Sequence, residues 1–145
     1  MEPFSIAGLM QYQEIEEGKT LQKYFFIAFG GALGSIMRYW MGSTISGRLG
    51  TRFPYGTLIV NITACVLLGF SLAWLGRHAE LNPEWRMFIA VGCVGAYSTF
   101  STFEWETFST VRSGALFMAA LYALGSLILG LAATWGGAVL ADMIS

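Results

Sequence analysis

Four apolar stretches separated by short polar connections make up most of the chain, at residues 24–45, 56–75, 85–111 and 115–140. Each is close to the ~20 residues that a helix needs to cross a bilayer core, so the pattern predicts four transmembrane helices. Arg48 and Arg52 mark the first connection, Arg77, Pro83 and Glu84 the second, Arg112 and Gly114 the third. Trp40, Trp74, Trp85, Trp105 and Trp135 fall mostly toward span ends, where interfacial tryptophans belong. Ahead of the first span, residues 11–19 are polar and include Glu14, Glu16 and Glu17. No basic start is followed by an apolar run and a small-residue cleavage site, so no signal peptide is expected. Residues 1–23 read as an N-terminal extension, a surface helix or a disordered tail, and residues 24–145 as one membrane domain.

The third stretch departs from the pattern of the others. Gly92 and Gly95 open its centre, and the hydroxyls of Ser98, Thr99, Ser101 and Thr102 follow, with Phe100 and Phe103 between them. Glycine costs about 1 kcal/mol against alanine inside a helix. Carbonyls freed at membrane depth are tolerated only where protein, water or an ion meets them. The expectation is an all-α integral membrane protein whose third helix is broken near Gly95–Ser98 to handle something polar. Thr57 and Asn61 in the second span, and Tyr122 and Ser126 in the fourth, each lie four apart and share a helix face. Apart from Arg38, the first, second and fourth spans carry no ionisable side chain at depth other than tyrosine and cysteine. A route lined by amide and hydroxyl donors, with no carboxylate opposite, suits a small anion better than a cation. Phe100 and Phe103, three apart on one face, add the positive edges of aromatic rings, which partly replace an anion's water.

Composition narrows the class. Of 145 residues, 55% are hydrophobic and only 12% charged, and mean hydropathy is +0.59. Soluble domains are roughly a quarter charged, so the chain reads as membrane-integral, with length for one domain. A net charge of −1 argues against nucleic acid as a partner. Cys65 and Cys93 sit in apolar segments without a ligand-spaced Cys or His and read as inert thiols. The single histidine, His78, lies in a loop, and no catalytic or metal cluster accompanies it, so an enzyme is not expected. On the side of the termini lie Lys19, Lys23, Arg77 and Arg86; on the other lie Arg48, Arg52 and Arg112, with Arg38 leaning that way. An excess of Lys and Arg on one side fixes orientation, and here there is none. Both insertion directions are open, two copies can pair antiparallel, and the small residues of Gly30-Gly31-Ala32-Leu33-Gly34 permit close helix contact. A dimer is expected. From the residues alone, Asn61 and the hydroxyls as glue between helices, the phenylalanines as packing, and Arg38 snorkelling to the interface remain alternatives.

Three blocks resemble the CrcB/Fluc family of fluoride channels: residues 30–39 with Arg38-Tyr39, residues 54–61 with Gly56-Thr57-Leu58-Ile59-Val60-Asn61, and residues 92–103 ending in Ser98-Thr99-Phe100-Ser101-Thr102-Phe103. The resemblance covers the chain from about Lys23 to its end. It implies an antiparallel, dual-topology homodimer in the bacterial inner membrane that lets fluoride leave the cytoplasm passively through two pores. Asn61 would donate its amide to fluoride, Phe100 and Phe103 their ring edges, and Ser101, Thr102, Thr57 and Tyr122 would line the route. A structural sodium ion (Na+) on the dimer axis would be held by the carbonyls of Gly95 and Ser98, and Arg38 and Glu106 would be structural or vestibule charges paired with one another. The chain departs from the family pattern at Ala64, Val94, Ala96, Tyr97, Ser98 and Glu104; Glu104 is expected to point to the interface or to an arginine. The principal rival is a small multidrug-type four-helix exporter with dual topology. That exporter needs a carboxylate deep in its first helix, where residues 24–45 have none. A non-transporting scaffold would tolerate replacement of Asn61 and of the phenylalanines.

Overall fold

The computed structural model describes residues 6–78, 80, 82 and 84–144, with side chains described at Gly18 and from Thr20 onward. Pro83 and the first five residues of the N-terminal extension lie outside the described residues. Helix α1 spans Ile6–Leu49, 44 residues, or about 66 Å at the 1.5 Å rise of an α-helix. That is roughly twice the ~30 Å hydrocarbon core, so the helix of the first span continues through the polar 11–19 stretch without a break. Gln, Glu and Lys are good helix formers, which is why that stretch can stay helical without an apolar face. Helix α2 covers Tyr55–Arg77. The third segment begins with a single turn, α3 (Glu84–Arg86), widens into a π-helix over Met87–Val94, and tightens again as α4 (Gly95–Tyr97). It resumes as α5 (Phe100–Arg112), and α6 (Leu116–Ile144) completes the chain. All elements among the described residues are helical.

Glycines set the turns and the close approaches. Gly50 and Gly114 both have φ of +82°, the left-handed conformation in which helices end and which costs glycine nothing. Gly50 donates its N–H back to Ser46 at 3.0 Å, closing the last turn of α1. Between α2 and α6 the backbones almost touch: a β-carbon on Gly69 would run into the Thr134 carbonyl, and one on Gly137 into the Val66 carbonyl. In lipid, where no hydrophobic force drives helices together, such small-residue contacts carry association.

The buried centre is small. Val60, Ala64, Val94 and Tyr97 cluster between α2 and the third segment, with Met41, Leu68 and Ile89 packed around them. Most apolar surface instead points outward. Helices α2 and α6 are long and apolar enough to cross a membrane, yet only 22% and 11% of their most apolar windows are buried by the protein. Large outward side chains such as Phe117 and Leu131 on α6 would be unfavourable in water at about 25 cal/mol per Å². In lipid they cost nothing. The chain is an integral helical membrane protein.

Candidate functional site

The polar centre of the molecule is a two-residue gap in the third segment. Ser98 (ψ 158°) and Thr99 (φ −147°, ψ 106°) are both extended. Helical hydrogen bonding stops there, and peptide groups in a bilayer must find partners inside the protein. Asn61 on α2 supplies them. Its Oδ1 accepts the Thr99 N–H at 2.8 Å, and its Nδ2 donates to the Thr99 carbonyl at 3.2 Å. The pairing fixes the orientation of the carboxamide, because only Nδ2 can donate, and it leaves the second Nδ2 hydrogen for another acceptor. The Thr99 side chain, 7% exposed, then caps α5. Its Oγ1 accepts the Thr102 N–H at 3.3 Å and donates to Thr102 Oγ1 at 2.8 Å, an N-cap arrangement.

These bonds have a consequence for the carbonyls. The Thr99 N–H, which a continuous helix would give to Gly95, is taken by Asn61. The Thr102 N–H, which would go to Ser98, is taken by the Thr99 hydroxyl. The Gly95 and Ser98 carbonyls therefore lose their helical i+4 donors together, and they are polar acceptors at membrane depth.

Beside the gap lies a cavity of about 220 Å³ lined by Asn61, Cys65, Ser98, Thr99, Phe100, Phe103, Ser126 and Leu127. Phe103 is buried at 8% exposure, whereas Phe100 is 72% exposed. The rings stand 5.8 Å apart between centroids and tilted by 40°. Ser126 Oγ is buried with no hydrogen-bond partner among the described residues. Among the cavity's lining residues, Asn61 keeps one amide hydrogen and Ser126 its hydroxyl without a partner, and the lining includes no Asp, Glu, Lys or Arg. Thr99, Ser126 and Cys65 are lining residues that the sequence reading did not single out as site residues. The signals were present: Thr99 stands three before Thr102, the spacing of a cap, and Ser126 stands four after Tyr122.

Glu106 organises the next layer. Thr57 donates to its Oε1 at 2.8 Å and Tyr122 to its Oε2 at 2.7 Å. Tyr122 is 1% exposed and packs against Phe103 at 5.1 Å and Phe53 at 5.5 Å. The expected Arg38–Glu106 pair is not formed: among the described residues Glu106 takes two hydroxyl donors from α2 and α6. The physical reason is proximity. Thr57 and Tyr122 reach the carboxylate from packed helices, whereas Arg38 lines a different cavity, of about 320 Å³, with Ser35, Ser43, Thr57 and Thr102. A further cavity of about 290 Å³ is lined by Arg52, Glu106, Ser109 and Thr110, among others. Thr99 lines both the first cavity and the Arg38 cavity, and Ser46 lines both the Arg38 and Arg52 cavities. Polar lining therefore runs in steps from the arginines to Asn61. Ser101 is exposed and lines none of these three cavities. Glu104 is also exposed, away from all three.

Comparison with known proteins places this arrangement in a family. The chain is 49% identical over 122 residues to a protein of Acidobacterium capsulatum named fluoride-specific ion channel FluC, covering 84% of this chain and 98% of that protein. It is 45% identical over 119 residues to the protein of that name from Solibacter usitatus, covering 82% and 98%. It is 43% identical over 111 residues to the one from Thermus thermophilus, covering 77% and 88%. The family model described as CrcB-like protein, Camphor Resistance (CrcB), matches residues 25–138. The chain belongs to the CrcB family.

Proposed function

We propose that this protein is a fluoride channel, passing the ion passively through the cavity beside the Ser98–Thr99 gap. The observation that carries the reading is the character of that cavity. Its polar atoms are donors with free hydrogens, Asn61 Nδ2 and Ser126 Oγ, next to two phenylalanines, and relatives matched over nearly their whole length are named fluoride-specific channels. Fluoride is small and strongly hydrated, so a pathway must replace its water with donors. An amide, a hydroxyl and two ring edges do so without a cationic trap from which the ion would not leave. Thr57 and Thr102 continue the polar lining in the Arg38 cavity, where the guanidinium group raises the local anion concentration, and Tyr122 stands behind them as a donor to Glu106.

The working unit in this reading is an antiparallel homodimer. Phe100, exposed and forming one wall of the cavity, is then covered by the second copy, and two such dimer-completed cavities give two pores. A sodium ion fits the same gap. The Gly95 and Ser98 carbonyls lack helical donors, and carbonyl oxygen is the donor type that sodium takes at helix breaks. Bound there, the ion would supply a fixed positive charge; the protein's own part is to hold those carbonyls in place through Asn61 and Thr99.

The test is fluoride efflux from liposomes holding the purified protein, compared with Asn61→Ala and Phe100→Ile. Rapid passive efflux in the native chain is expected. It should drop at least about tenfold in Asn61→Ala, since a hydrogen bond to a charged group is worth about 1.5–3 kcal/mol. A native protein that folds and dimerises but passes no fluoride would end the reading, and efflux indifferent to both changes would detach it from this cavity.

A further inference from the structure

The short α4 turn carries a buried hydroxyl that lines none of the three cavities described above. Tyr97 is 2% exposed, its ring packed among Val60, Ala64 and Val94. Its Oη lies 2.8 Å from Thr63 Oγ1 on α2 and 2.8 Å from Met41 Sδ on α1. Thr63 Oγ1 in turn lies 2.8 Å from the Ile59 carbonyl. Two protons serve these contacts, one on each hydroxyl. Tyr97 donates its proton to the Met41 sulfur, so in the Thr63–Tyr97 contact the Thr63 hydroxyl is the donor, with the Ile59 carbonyl as its other acceptor. Buried relays of this kind strengthen one another in low dielectric.

The relay sits where the third segment is weakest. Upstream the wide π-helix ends at Val94; downstream helical bonding is lost at Ser98. Only the three residues Gly95–Tyr97 hold α-helical form between them, and so short a turn has little stability of its own. Something must fix its rotation about the helix axis, because that rotation aims the Gly95 and Ser98 carbonyls and delivers Thr99 to Asn61. Thr63 and Asn61 stand two residues apart on α2, one holding the side chain just before the gap and the other the peptide inside it.

We propose that Tyr97 is a positioning residue of the ion pathway: its hydroxyl, tied to Thr63, locks the α4 turn so that Thr99 meets Asn61. A phenylalanine here would fill the same core volume and leave the turn's rotation unpinned. The proposal deepens the channel reading and rests on it only for the flux measurement.

The experiment compares the native dimer with Tyr97→Phe, Thr63→Val, the double variant and Thr63→Ser. Two quantities are read: fluoride efflux from liposomes, and hydrogen exchange at the peptide containing the Thr99 amide. Removing the tie should raise exchange there by about fivefold, the factor one net intramolecular hydrogen bond is worth, with efflux falling by a similar factor. Exchange in α6 should not move, which separates local release from general loss of stability. Tyr97→Phe and Thr63→Val should not add in the double variant, and Thr63→Ser, which keeps the hydroxyl, should restore both readings. Native exchange at Thr99 in Tyr97→Phe, or additive effects in the double variant, would overturn the proposal. If the native protein passes no fluoride, the channel reading fails, and the exchange measurement still decides the tie.

Discussion

A half-buried carboxylate between helices takes the donors that packing brings to it, and Glu106 shows how the neighbours decide which groups those are. Reading charges along a chain pairs it with Arg38; the fold pairs it with Thr57 and Tyr122. The Tyr122 hydroxyl is therefore more than a tip on an aromatic core residue. Tyr122→Phe keeps the packing against Phe103 and Phe53 and removes one donor from Glu106. The expected loss is about 1.5–3 kcal/mol, the range for hydrogen bonds to charged groups, measured as the shift in unfolding free energy of the detergent-solubilised protein. An unchanged midpoint would mean that the Tyr122–Glu106 hydrogen bond contributes nothing to the fold. Asn61 stood out in the sequence because an amide in an apolar run needs a polar partner, whether as ligand or as glue between helices. Its grip on Thr99 did not, since that depends on which turn of α2 lies against the gap, and spacing along one helix carries no information about register between two.

Elements follow the same division. Where each span lies was readable from hydropathy, and α2 and α6 end within a few residues of the expected limits. The continuation of α1 to Ile6 was left open by a reading that sought apolar faces, because a helix leaving the membrane needs none. The π-helix over Met87–Val94 was invisible for another reason: in a run apolar on all sides, a period of 3.6 cannot be told from a wider one. What the glycines do there is plainer in three dimensions. A β-carbon on Gly30 would meet the Phe88 carbonyl, and one on Gly34 the Cys93 carbonyl, so α1 rides directly on the π-helical backbone. The α2–α6 contact has the same build, and it can be tested without touching the pathway. Gly137→Leu forces the helices apart at Val66 and should destabilise the protein by about 1–3 kcal/mol, as overpacking does. Gly136→Leu, where a β-carbon meets nothing within 4 Å, should be close to neutral in the same denaturation measurement. Equal effects at both positions would show that the helices are not held by backbone contact.

At the scale of the molecule, the proposed antiparallel pair can be tested through surface and charge. The single chain leaves Phe100 72% exposed beside the cavity that Asn61 and Ser126 also line, a wall that the second copy of the proposed dimer would complete. In the four-span reading the eight Lys and Arg residues show no excess on either side: Lys19, Lys23, Arg77 and Arg86 belong to the side of the termini and Arg48, Arg52 and Arg112 to the other, with Arg38 leaning that way. Since an excess of such residues on one side orients a membrane protein, its lack permits both orientations, which an antiparallel dimer requires. Tilting the balance should therefore cost function in a specific way. Three lysines added to the loop around Arg52, or three added after Ser145, should each drive the chain into a single orientation and abolish fluoride efflux from cells when expressed alone. The two biased chains expressed together should restore it, because each supplies the orientation the other lacks. Full efflux from either biased chain by itself would rule out an obligate antiparallel pair and leave the cavity to be closed by a parallel partner.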